Sequence, residues 1–210
     1  GLGDVYKRQV LGGAKVSTKL NLLMHILDKA DKIIIGGAMA NTFIAAQGAQ
    51  IGKSLVEREL FPKALEILAT LARRGCQLYL PVDFVAASSL NSSGDARAVP
   101  VQELPADLMA LDIGPASSLL FREALQTVET IIWNGPMGAF EKEAFAEGTT
   151  SMVESIAAAQ ALKVVGGGDT DAAIHQMELE HKFDFISTGG GAFLAQLEGE
   201  QLVAFRALEG

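Results

Sequence analysis

Two lysines, Lys15 and Lys19, stand four residues apart just after Gly12-Gly13. Asp169 follows Gly166-Gly167-Gly168, and Asn134 precedes Gly135-Pro136. Beside glycine, these residue types suit the handling of phosphate. The first turn of a helix offers N–H groups without intrahelical partners together with a partial positive charge, and glycine lets an anion approach the backbone. Lysines four apart on one face near a helix start oppose the macrodipole by about 0.3 to 1 kcal/mol and repel each other, and an anionic ligand would reverse both signs. Asp169 lies where an N-cap is expected. Its carboxylate suits either that role or Mg²⁺, which binds through one or two carboxylates plus substrate phosphates, with Asp171 a weaker candidate. The Asn134 amide can donate to a phosphate oxygen, and Glu141 can accept from ribose hydroxyls. Each has an ordinary structural alternative: tight turns for the glycines, solvation for the lysines and Glu141, turn chemistry for Asn134.

The elements that would hold these residues follow one pattern, a short apolar strand, a glycine cluster and a helix with apolar residues at helical spacing. The first unit has a strand from Val10, Gly12-Gly13, and a helix with Val16, Leu20, Leu23, Met24 and Leu27 on its apolar face. The second has Ile33-Ile34-Ile35, Gly36-Gly37 and a helix over 39–46 ended by Gly48 at C′. Later junctions follow Thr130-Ile131-Ile132-Trp133, Val164-Val165 and Phe185-Ile186, the last running into Gly189-Gly190-Gly191. A helix over 57–72, a strand over 78–85 and a long surface loop over 88–107 complete the order, with no hairpin signal. The pattern predicts an α/β fold, a Rossmann-like three-layer sandwich whose mostly parallel sheet has helices on both faces, with ligands gathering at the carboxyl ends of the strands.

Composition excludes several classes. The net charge of −8 on 210 residues opposes general nucleic-acid binding, and the lone Cys76 leaves no internal disulfide or cysteine metal cluster, as expected in cytoplasm. No uninterrupted apolar run is long enough to cross a membrane. The histidines at 25, 175 and 181 have no partner at catalytic spacing. The stretch 48–54 resembles a Walker A loop but is one residue short and follows a helix, and no G-x-G-x-x-G follows a strand. Residues 1–9 (GLGDVYKRQ) lack both a signal-peptide core and strand alternation. They are expected to be foreign or fragmentary, with one domain over 10–210 and the natural beginning missing.

Taken in order, L-G-G-A-K-V-S-x-K (11–19), L-D-I-G-P (111–115), W-N-G-P-M-G-x-F-E (133–141), G-G-G-D-T (166–170) and S-T-G-G-G-A (187–192) resemble phosphoglycerate kinase. The likeness runs from about Val10 to the end and matches the C-terminal, nucleotide-binding half. The resemblance implies reversible phosphoryl transfer between 1,3-bisphosphoglycerate and ADP, giving 3-phosphoglycerate and ATP with Mg²⁺, by a glycolytic enzyme that is monomeric when whole. It gives Lys19 the nucleotide phosphates, Lys15 the group in transfer and Asp169 the metal. Thr170, Gly167 and Gly168 would lie beside the metal. Asn134 would contact phosphate, and Glu141 the ribose. Gly12, Gly13, Gly36, Gly37, Leu111, Pro136 and Ala139 would line the adenosine pocket, and Gly189, Gly190 and Gly191 would offer amides to the migrating phosphoryl group. Ala38, Leu90 and Ala110 depart from common family residues and bear on the shape of the adenine pocket. The half that would hold 3-phosphoglycerate or 1,3-bisphosphoglycerate, with a stabilising arginine, has no counterpart here, so the isolated chain is expected to bind nucleotide without turning over. A stand-alone nucleotide-binding module is the alternative; a dehydrogenase-like domain lacks its motif.

Overall fold

In the computed structural model the described residues are 7–187 and 189, except 28 and 127. The order is β1 (Lys7–Leu11), α1 (Leu20–Ile26), β2 (Lys32–Ile35), α2 (Gly37–Ala46), α3 (Phe61–Arg74), β3 (Gln77–Tyr79), β4 (Asp83–Ala87) and β5 (Arg97–Pro100). It continues with β6 (Met109–Ile113), α4 (Pro115–Ala124), β7 (Thr130–Asn134), α5 (Glu147–Ala158), β8 (Leu162–Gly166), α6 (Gly168–Gln176) and β9 (Phe185–Ser187). Six of these strands form a parallel sheet in the order β3-β2-β1-β7-β8-β9. The direction of chain progression reverses between β1 and β7. That is the topological switch point, where the carboxyl ends of two central strands diverge into a crevice.

β-Branched runs build the middle of this sheet because both of its faces are covered. Ile33 and Ile35 join Leu11 in one core with Leu22 and Leu23 of α1, Phe43 of α2 and Ile67 of α3. Ile34 joins Val10, Ile131 and Trp133 in the opposite core with Phe121 of α4, Met152 of α5 and Ile174 of α6. The expected α/β sandwich is therefore present, with one helix layer on each side.

Several expectations need correction. The first strand starts at Lys7, and Arg8 and Gln9 pair with both Lys32-Ile33 and Ile131-Ile132, so residues 7–9 belong to the sheet. Residues 1–6 lie outside the described part. The helix after Gly12-Gly13 opens with a 3-10 turn, Ser17–Lys19, and buries Leu22, leaving Met24 38% exposed. The strand expected over 78–85 is two strands in different sheets, divided at Leu80-Pro81-Val82 because proline cannot donate to a ladder. The loop expected over 88–107 contains β5, which pairs antiparallel with β4, while β6 takes the other edge of β4. This second sheet carries Phe84, Ala86 and Val99 into the first core.

Asp83 fixes how that sheet meets α4. Pro115 opens the helix, no side chain of its own turn caps it, and Asp83 accepts instead from Ala116 N (3.0 Å) and Ser117 N (2.8 Å). The Ser117 hydroxyl adds a bond of 2.6 Å to the same carboxylate. An anion there opposes the positive end of the helix. Asp83→Ala is expected to cost about 2 kcal/mol of unfolding free energy. Urea denaturation checks this, and a loss within error of zero would show that the cap contributes nothing.

Candidate functional site

The loops that follow β1, β2 and β7 are tied to one another at the switch point. Gly12 N donates to Asn134 O (2.9 Å), Gly13 N to Pro136 O (2.9 Å), Gly37 N to Met137 O (3.0 Å) and Met39 N to Gly13 O (2.9 Å). These amides are spent holding the three loops together. Gly13 and Gly37 have φ of +106° and +65°, a conformation L side chains rarely adopt. Gly12 and Gly36 are buried, and a Cβ on either would run into Pro136 O or the Met137 side chain. Gly12 and Gly36 are therefore packing positions beneath the site, and only Gly13 and Gly37 reach its surface.

Above this knot lies an open cleft of about 310 Å³. Gly13, Gly37, Leu111, Pro136, Ala139 and Glu141, all anticipated from the sequence, line it, with Asp169 at one side. Ala38, Leu90 and Ala110 line it too, so the positions that depart from the family pattern lie at the surface a ligand would touch. Ala14, Leu55, Met109 and Gly138 line it without having been singled out. Leu55 lies in a loop between α2 and α3, where no periodicity marks it, although Asn41 Nδ2 holds its carbonyl at 3.1 Å. The wall is largely apolar, with two carboxylates, Glu141 and Asp169, in its lining, as small-molecule sites are commonly built from apolar surface and a few polar groups.

Lys19 is turned inward, with 9% of its surface exposed. Its Nζ donates to Gly12 O and, at 2.9 Å, to Asn134 O. Burial pushes its pKa down to about 8, against the opposing pull of the Asp169 charge. Lys15 precedes the 3-10 turn and is exposed, so the two lysines do not share a helix face as expected. One is a buried cation under the cleft and the other a solvated one outside it.

Asp169 is not the N-cap. Gly167 occupies that place with φ +106°, and Asp169 is the second residue of α6, exposed toward the cleft. No described residue hydrogen-bonds its carboxylate. The N–H groups of Gly168, Asp169 and Thr170 likewise have no described partner, which makes the first turn of α6 the open helix start beside the cleft. Thr170 is fully buried and its hydroxyl accepts from Gly135 N (2.8 Å), tying this turn to the loop over Lys19. Asn134 Nδ2 donates to Gly166 O (2.7 Å), so its amide clamps β7 to β8. Gly189 is exposed, and Gly190 and Gly191 lie outside the described residues.

A lone carboxylate beside free helix amides and a buried lysine suits Mg²⁺ only if a polyanion completes the shell, because the ion usually takes one or two carboxylates plus phosphates and water. The described residues contain no group of three or more His, Cys, Asp or Glu able to hold a metal by themselves. No helix among them is long and apolar enough to cross a membrane.

Comparison with known proteins gives one answer. The family model for phosphoglycerate kinase matches residues 7–200. The chain is similar to phosphoglycerate kinases of Geobacter metallireducens (53% identical) and Desulfosudis oleivorans (50%), in each case over 200 residues, 95% of this chain and 50% of the relative. It superposes on the structure of phosphoglycerate kinase from Coxiella burnetii with a TM-score of 0.89 at 41% identity, covering 96% of this chain and 52% of that one. For the enzyme from Pyrococcus horikoshii OT3 the TM-score is 0.79 at 32% identity, covering 99% and 52%. The chain thus spans about half the length of the relatives it matches, and by sequence and by fold it belongs to the phosphoglycerate kinase family.

Proposed function

We propose that this chain is the C-terminal, nucleotide-binding half of a phosphoglycerate kinase and that its cleft holds ADP or ATP. The observation that carries this reading is a single juxtaposition: an apolar cleft at the switch point, with Lys19 beneath it and the open start of α6 with Asp169 beside it. The adenosine would lie against Gly13, Gly37, Leu111, Pro136 and Ala139, with Glu141 toward the ribose. The phosphates would extend toward Lys19 and the Gly168, Asp169 and Thr170 amides. Asp169 would hold Mg²⁺, which when bound neutralises phosphate charge. Lys15, free in solvent, would reach the group in transfer only once the acceptor arrives, and Gly189, Gly190 and Gly191 would contribute amides to it.

The whole enzyme would transfer a phosphoryl group between 1,3-bisphosphoglycerate and ADP, a reaction in which catalysis is positioning and charge stabilisation. It would do so as a cytoplasmic monomer, with neither membrane nor nucleic acid as partner. Phosphoglycerate itself would bind the other half. This chain alone would hold nucleotide without turning over, because half of the positioning is missing.

Calorimetry on the folded chain should show MgADP binding with no phosphoryl transfer above background. Asp169→Ala should weaken MgADP binding about tenfold and leave metal-free ADP binding little changed. A folded sample that binds no nucleotide would overturn the proposal, and an unaltered Mg²⁺ dependence in the variant would remove Asp169 from it.

A further inference from the structure

Asp112 lies directly behind the cleft wall and takes no part in the function proposed above. It is 3% exposed, in β6, one residue beyond Leu111, where the register of β6 against β4 shifts, and while Leu111 lines the cleft the Asp112 carboxylate lies beneath Gly138. Its Oδ2 accepts from Gly148 N (2.7 Å), in the first turn of α5, and its Oδ1 from Ile113 N (2.9 Å). The backbone of Gly138 passes over the same carboxylate so closely that a Cβ there would lie 2.5 Å from Asp112 Cγ. Gly138, Ala139 and Glu141 form one wall of the cleft, and Ala139 N is bonded to Leu111 O (2.8 Å). A second bond, Met137 N to Thr149 Oγ1 (3.0 Å), ties the same loop to α5.

We propose that Asp112 is a positioning residue for nucleotide binding, its carboxylate holding the 138–141 wall of the cleft in register between β6 and the first turn of α5. The inference rests on the nucleotide reading of the cleft. Two features make the residue more than a helix cap. Gly138 has no room for a side chain because the carboxylate occupies that space, so wall and carboxylate are built as one unit. The strand partner opposite Asp112 is Val85, and the other carboxylate of β4, Asp83, is committed to α4, so no cation balances Asp112 from that side.

Burial pushes the Asp112 carboxyl up to about 7, the Gly148 and Ile113 amides pull it down, and the charge of Glu147 at the start of α5 raises it further. Above that value both oxygens accept from N–H groups. Below it one oxygen carries a proton and faces a donor, so the clamp weakens as pH falls and the wall loosens with it. Glu141 and Lys142, on the wall segment itself, are exposed.

Adenosine is the probe, because it carries no phosphate and no charge that titrates near neutrality, and it would lie against the wall with its ribose toward Glu141. For the full chain, its Kd is expected to rise about fivefold from about pH 8.5 to about pH 5.5, with a midpoint near 7. In Asp112→Asn the Kd should be raised by a similar factor at every pH, with no midpoint. Circular dichroism and melting establish that the variant is folded. Should it not fold, Glu147→Gln, an exposed change, is expected to move the wild-type midpoint to lower pH. A flat wild-type profile, an equal pH dependence in folded Asp112→Asn, or a midpoint unmoved by Glu147→Gln each overturns the inference. If MgADP binds while the adenosine profile is flat, only the role of Asp112 falls. If neither ligand binds, the nucleotide reading falls as well.

Discussion

Gly12→Ala is expected to destabilise the fold by about 3 kcal/mol or more, the larger of the stability losses anticipated here. An added Cβ would overlap Pro136 O and sit 2.5 Å from Gly135 O and 2.6 Å from Met137 Cε. Two of these three atoms are backbone oxygens, and neither can move without breaking something else. Pro136 O accepts from Gly13 N, and Gly135 O accepts from the Trp133 indole (2.9 Å), which lies fully buried in the second core. Relief of the clash would therefore separate the loops after β1 and β7 and unseat Lys19, whose Nζ bonds Gly12 O. Gly36→Ala is the control, because every close neighbour of its added Cβ is an atom of the Met137 side chain, which can swing aside. Its loss should be about 1 to 2 kcal/mol. Urea denaturation of the two variants decides the matter. Equal losses would mean that the crowding comes from the methionine and that the loop knot is not rigid.

The same pair shows what the sequence made legible. Gly12-Gly13 and Gly36-Gly37 were readable as junctions because an apolar β-branched run precedes each and helical spacing follows, and the parallel sheet came from repeating that unit. Which glycine of each pair reaches the cleft was not readable. Gly12 N and Gly13 N donate to Asn134 O and Pro136 O, over 100 positions away, and the space beside Gly12 and Gly36 is taken by Pro136 O and the Met137 side chain. The lysine pair failed for a local reason. A 3-10 turn replaces the first helical turn, so spacing of four no longer places two side chains on one face. Asp112 carries no spacing signal, since its environment is assembled from Gly138, Gly148 and Val85 of three other segments. The antiparallel sheet was missed because its β4 and β5 are joined by a nine-residue polar stretch, 88–96, and not by a two-residue hairpin turn. Leu90 in that stretch nevertheless reaches the cleft, so the stretch read as a loop supplies part of its wall.

Lys19→Met is expected to weaken ADP binding about a hundredfold while leaving adenosine binding within about twofold. The difference between the two ligands is the phosphates, which in the proposed function the Lys19 cation would meet. The chain without nucleotide bears the cost of this arrangement. Burial lowers the Lys19 pKa from 10.5 to about 8, so between those values the unfolded chain binds more protons than the folded one. Stability must then rise with pH across that window, by up to about 3 kcal/mol, because the penalty of a buried charge disappears as the folded chain loses the proton. Below about pH 8 the full penalty is present, and Lys19→Met should show no such rise. A bound polyphosphate would favour the charged form and move the pKa back up. ADP binding at about pH 8.5 should therefore take up a substantial fraction of a proton, visible as a heat that depends on the ionisation enthalpy of the buffer. In Lys19→Met that uptake should vanish. Buffer-independent heats in the wild-type chain would mean that Lys19 is already charged in its resting place, and the phosphates would then gain a preformed cation without any linked proton.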